Sequence, residues 1–62
     1  MTTLEQMKAQ WETFIAENER FSVKGVKASA GRARKALGDL AKLAKVRRKE
    51  IMDEKAAMSN KD

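Results

Sequence analysis

The stretch Phe21-Ser22-Val23-Lys24-Gly25-Val26-Lys27-Ala28-Ser29-Ala30-Gly31-Arg32-Ala33-Arg34-Lys35-Ala36-Leu37 decides the fold, because it holds the end of one apolar pattern, a breaker and the start of another. Upstream, Leu4, Met7, Trp11, Phe14 and Phe21 recur three, four and seven apart, with Asn18 at one polar gap and Ile15 widening the stripe. That is the periodicity of a helix with one apolar face. Gly25 follows the last of these residues and is preceded by Lys24. A glycine just past a helix suits a left-handed cap, and a cation there faces the negative end of the helix dipole. Downstream, Val26, Ala30, Ala33, Leu37, Leu40, Ala44, Ile51 and Met58 resume the three- and four-residue steps, with Arg47 intruding once.

The spacing therefore predicts an all-α chain: a first helix over about 3–22, a turn over about 23–26, a second helix over about 27–57 and a frayed tail at 58–62. Proline is absent and β-branched residues are few, so strands find no support. Thr2 or Thr3, each followed three residues later by Glu5 or Gln6, supplies a capping box for the first helix. Folded back as an antiparallel hairpin, Ala30, Ala33 and Ala44 would face Trp11, Phe14 and Met7, small against large. The expected core is Leu4, Met7, Trp11, Phe14, Ala33, Leu37, Leu40, Ala44 and Ile51, with Glu5, Glu12, Glu17 and Glu19 turned to water. Gly31 and Gly38, seven apart inside the second helix, suggest a close backbone approach.

A chain of 62 residues buries only roughly 60% of the surface its unfolded form exposes. Without cysteine or histidine it has neither disulfides nor the usual ligands of zinc. Self-association is the staple that remains. A single hairpin does not bury both stripes together with Ile15, Leu43 and Met52, whereas a dimeric or tetrameric helical bundle would. The first residues have no signal-peptide character and no segment approaches the roughly 20 apolar residues of a membrane span, so the expectation is a cytoplasmic protein with no membrane partner.

Charge is unevenly distributed. Residues 1–21 carry Lys8 and Arg20 against Glu5, Glu12, Glu17 and Glu19, a sum of −2, so residues 22–62 carry the remaining +7 of the net +5. Between Lys24 and Lys49 stand ten cations and one acid, Asp39. Stepping about 100° per residue puts Lys27, Arg34, Lys42, Lys45, Arg48 and Lys49 within an arc of about 120°, outside and opposite the apolar stripe. The arc runs about 33 Å along the helix, close to the roughly 34 Å of one DNA turn. Acids four residues from the lysines would mark an ordinary solvated face, and they are largely missing. The second helix has no Asn or Gln before Asn60 to read adenine, and the aromatics lie on the first helix's apolar face. What this inventory can do is hold the phosphates of a duplex with little regard to sequence. Docking on an acidic protein partner, or on RNA, uses the same cations.

Nothing resembles a catalytic constellation: the hydroxyls Thr13, Ser22, Ser29 and Ser59 have no nearby base, and Glu50, Asp53 and Glu54 read as a polar helix end. The expectation is a protein that is not an enzyme, with no cofactor, metal or small-molecule substrate.

The run from Lys24 to Leu37, continued by Leu40-Ala41-Lys42-Leu43-Ala44-Lys45 and Arg47-Arg48-Lys49-Glu50-Ile51, resembles the small bacterial histone-like proteins of the chlamydial linker-histone type. The resemblance spans roughly residues 21–55. It implies a helical hairpin that associates with the nucleoid and binds double-stranded DNA through Lys27, Arg32, Arg34, Lys35, Lys42, Lys45, Arg48 and Lys49. Two departures stand out: Val26 follows the turn glycine where members of the type often have Asn, and their long Lys/Ala/Pro-rich tail has no counterpart here.

Overall fold

The computed structural model describes residues 1–58 and contains two helices and no strand among them. Helix α1 runs Thr3–Ser22 and helix α2 runs Lys27–Met58. Met58, expected in the tail, closes α2; the expected fraying of residues 59–62 lies outside the described residues.

Thr2 is the N-cap of α1, and the capping box is complete: its hydroxyl accepts from the Glu5 amide at 3.1 Å while its own amide donates to Glu5 Oε1 at 2.9 Å. Two orphan donors of the first turn are thereby satisfied. At the other end Gly25 adopts φ +72°, a conformation a side chain would strain. Its amide donates to the Phe21 carbonyl at 3.1 Å, and the Val26 amide donates to the Arg20 carbonyl at 3.0 Å. The turn reverses the chain, so Thr3 meets Glu50 at one end of the molecule and Glu17 meets Arg32 near the other. The result is a slab of 53 × 19 × 13 Å. Beyond Glu50, α2 continues past the start of α1 by about two turns, roughly 12 Å.

The line of contact is not the one the apolar spacing suggests. On α2 the buried or partly buried residues are Ser29, Ala30, Ala33, Ala36, Asp39, Leu40, Leu43, Ala44, Arg47 and Glu50, centred on the row 29, 33, 36, 40, 43, 47 and 50; on α1 they are Thr3, Met7, Gln10, Phe14 and Glu17. Both rows step by four and three, as two helices crossing at a shallow angle require. Of the expected core, Met7, Phe14, Ala33, Leu40 and Ala44 are at least half-buried, but Leu4, Trp11, Leu37 and Ile51 remain 66%, 48%, 44% and 50% exposed. The physical reason is size. Serine and alanine at 29, 33 and 36 let the backbones close in, with Phe14 and Met7 filling the gaps, so the contact line turns by about 50–90° away from Leu37 and Ile51.

Two further expectations are corrected. Glu17 lies on the contact line, its side chain 15% exposed, beside Arg20 at 4.0 Å and Arg32 at 3.9 Å, rather than facing water. Gly31 and Gly38 approach nothing: a methyl group at either would meet no atom within 4 Å.

Candidate nucleic-acid interface

Since the contact line of α2 passes through residues 29, 33, 36, 40, 43, 47 and 50, the point opposite it is fixed by the helical step. Lys27, Arg34, Lys45 and Lys49 fall within about 30° of that point, and Lys42 and Arg48 flank it at about 50–70°. All six are exposed, and none is in an ion pair among the described residues. Solvated cations pointing away from the only other helix are free to meet an external anion.

Two of the residues implied by the resemblance stand elsewhere. Arg32 leans toward α1 and lies 3.9 Å from Glu17, and Lys35 donates to Asp39 Oδ2 at 3.2 Å. Together with Gln10 and Thr13 they line a shallow cleft along one edge of the helix pair. Their charge is partly answered within the helix pair, as the charge of the outer six is not among the described residues. The acidic residues of α1 mirror this arrangement: Glu5, Glu12 and Glu19, seven apart, lie within about 20° of the point opposite the contact line of α1. The outer side of α1 is therefore acidic and the outer side of α2 basic.

The cleft also orients the rest of the surface. It places the Thr13 side of α1 and the Asp39 side of α2 on the same edge, so the opposite sides of the two helices share the other edge. That second edge carries Leu4, Trp11 and Ile15 from α1 with Val26, Leu37 and Ile51 from α2, all at least 42% exposed. Trp11 stacks on Phe14 with ring centroids 5.5 Å apart and planes inclined by 30°, which fixes its ring beside the contact line.

At the open end, sequence reading missed a network. Thr3 Oγ1 donates to Glu50 Oε2 at 2.7 Å, and Arg47 Nη1 donates to Glu50 Oε1 at 3.2 Å and to Glu54 Oε2 at 2.7 Å. The hydrogen bond from Thr3, and then that from Arg47, holds the Glu50 carboxyl below the usual glutamate range. Glu50 and then Glu54 raise the Arg47 guanidinium. Glu5 is likewise lowered, by the amide and hydroxyl of Thr2. The intrusion of Arg47 into the apolar stripe thus has a use: it replaces packing with a clamp where α1 begins. Its signal was legible as acids three and seven residues beyond an arginine on the contact line.

No described helix is long and apolar enough to cross a membrane, and no group of three or more described His, Cys, Asp or Glu residues could hold a metal ion. No curated protein and no solved structure matches the chain significantly. A family model does: that of the histone H1-like protein Hc1, over residues 1–57, which takes in α1, all of α2 but Met58, and every cation of the outer face. With nearly the whole chain matched, and with the basic and apolar faces described above inside the match, the protein belongs to the histone H1-like Hc1 family.

Proposed function

We propose that the chain is a nucleoid-associated protein that binds double-stranded DNA along the outer face of α2, with little preference for sequence. The observation that carries this reading is the row Lys27, Arg34, Lys42, Lys45, Arg48 and Lys49, exposed and without an acidic partner among the described residues. Membership of a histone-like family supports it. Binding proceeds by release of counterions from phosphates, with lysine and arginine heads spaced along about 33 Å of helix. Base edges go unread because the face offers no Asn or Gln.

The same reading includes self-association through the apolar edge. Among the described residues only Ala33, Ala36 and Ser29 are buried, a small core for a domain that must offset its conformational entropy. The six large residues left open on the second edge expose on the order of 600 Å² of apolar surface, and two such faces together reach the roughly 1,200 Å² at which stable interfaces begin.

The test is fluorescence anisotropy of a labelled duplex of about 30 base pairs, titrated at several salt concentrations. Expected is a linear fall of log affinity with log salt, alike for unrelated sequences. Absence of binding at low salt overturns the reading, and tighter binding to double-stranded RNA redirects it.

A further inference from the structure

We infer that two copies pair with α1 of each against α2 of the other, and that this pairing turns the two basic faces to opposite sides of the assembly, so that one dimer bridges two DNA duplexes. The inference rests on the DNA-binding and self-association reading above and adds the geometry.

Two symmetric ways exist to lay the apolar edge of one helix pair on that of another. With the two-fold axis perpendicular to the helices, α1 lies on the partner's α1 and α2 on the partner's α2. With the axis parallel to them, each α1 lies on the partner's α2. Neighbouring helices in such a bundle stand about 8–10 Å apart, within about one Debye length at physiological salt, so the charges along their rims decide between the two.

The perpendicular arrangement sets like against like. The rim of α2 beside the apolar edge carries Arg34 and Arg48 and would meet the same rim of its partner, while the row Glu5, Glu12 and Glu19 of α1 would meet its own copy. The parallel arrangement sets acid against base. A rotation about an axis parallel to the helices leaves every residue at its own height, so heights within one helix pair carry over to its partner. Thr3 is level with Glu50, and Glu17 with Arg32. Glu5 is therefore level with the region of the partner's Arg48, and Glu19 lies within about one turn of the partner's Arg34. Glu19, Arg34 and Arg48 have no ion pair within the helix pair among the described residues. Lys8, the one cation on that rim of α1, falls level with the partner's Leu43 and Ala44, beside Lys45, the one like-charge approach set against the acid–base approaches of Glu5 and Glu19. The parallel axis also brings both overhanging ends of α2, with exposed Ile51 and Met58, to the same end of the assembly.

This pairing leaves Lys27, Lys42, Lys45 and Lys49 of the two copies facing away from each other across the bundle.

The chain has no cysteine, so single cysteines can be introduced without interference. Glu19→Cys and Arg34→Cys chains, mixed and treated with a short bismaleimide, are expected to give a crosslinked dimer, as are Glu5→Cys and Arg48→Cys chains; Glu12→Cys alone is expected to give none. Circular dichroism of each variant checks that helicity is retained. With the unmodified protein, beads carrying one duplex should capture a second, labelled duplex. Crosslinking of Glu12→Cys with itself, silence of both mixed pairs, or binding of single duplexes without capture of a second overturns the inference. Failure of the DNA reading looks different: anisotropy then shows no binding of even one duplex, while the crosslinks still decide the pairing.

Discussion

Neutralising half of the outer face of α2 should halve the salt dependence of DNA binding. Six exposed cations without an ion pair among the described residues stand there, and each phosphate neutralised contributes about −0.9 to the slope of log affinity against log salt, which gives a slope of about −5.4 if all six engage. Between 50 and 200 mM salt the intact protein then loses roughly 2,000-fold in affinity. The triple variant Arg34→Gln, Lys45→Gln, Lys49→Gln keeps three contacts, a slope of about −2.7 and a loss of roughly 40-fold over the same range. These side chains are exposed and make no contact with α1, so helicity by circular dichroism should be unchanged. The control is the pair Arg32→Gln, Lys35→Gln, which removes two charges from the cleft edge, where each already faces an acid. Anisotropy titrations at four or more salt concentrations measure both slopes. A control slope that falls two-thirds as far as that of the triple variant, in proportion to two charges removed against three, would refute the assignment of the outer face, because net charge rather than position would then govern binding.

Three other outcomes follow from the packing. Ser29 is fully buried and its hydroxyl has no hydrogen-bond partner; Ser29→Ala should therefore raise stability by about 1 kcal/mol in urea unfolding, and a loss would mean that the hydroxyl is bonded after all. Ala36, 2% exposed, lies on the contact line between the helices, so Ala36→Leu should cost about 1–3 kcal/mol by overpacking, whereas the same change at exposed Ala28 should stay within about 0.5 kcal/mol. Acid should loosen the open end first. Glu5 and Glu50 have folded-state values below the ordinary glutamate range, so as pH falls the unfolded chain takes up protons before the folded one does. Their contribution is complete above the ordinary value of about 4.3 and is lost as pH drops through the lowered values; a Glu50→Gln variant should show a shallower pH dependence there, and an unchanged profile would count against the Thr3–Glu50–Arg47 network.

Element existence and boundaries were legible because their signals are local. The threonine followed by Glu5 marks the start of α1, and Gly25 after Lys24 marks its end, through constraints that involve only neighbouring residues. The outer basic face was legible too, since a charge row seven and eleven residues apart stays on one side of a helix whatever that helix packs against. What the pattern could not decide was which of two overlapping stripes on α2 meets α1. Ala33 and Leu40 belong to both, and the choice between Ser29/Ala36/Leu43 and Ala30/Leu37/Ala44 depends on how closely two backbones approach. A hydropathy pattern weights Leu37 above Ser29, whereas close approach favours the smaller residue. The same competition misplaced Glu17, whose position on the α1 line is visible only once Arg20 and Arg32 are near it. Arg32 and Lys35 illustrate the limit of resemblance: they match a basic pattern, but packing turns them to the cleft edge beside acids.

The displacement of the contact line also explains how one short helix pair can carry two interfaces without conflict. Had Leu37 and Ile51 faced α1, the large residues of both helices would have been spent on one core, leaving a polar surface all round apart from the basic row. By closing over serine and alanine instead, α2 keeps three directions distinct: the contact line toward α1, an apolar edge about 50–110° from it, and the basic face about 180° from it. Burying the apolar edge therefore neither covers nor reorients Lys27, Lys45 or Lys49. Under the proposed pairing Arg34 and Arg48 stand at the rim of the association surface while Lys27, Lys42, Lys45 and Lys49 lie clear of it, and a change such as Leu37→Ala should weaken association while leaving those four lysines in place. In that pairing each added copy brings another basic row at a fixed angle.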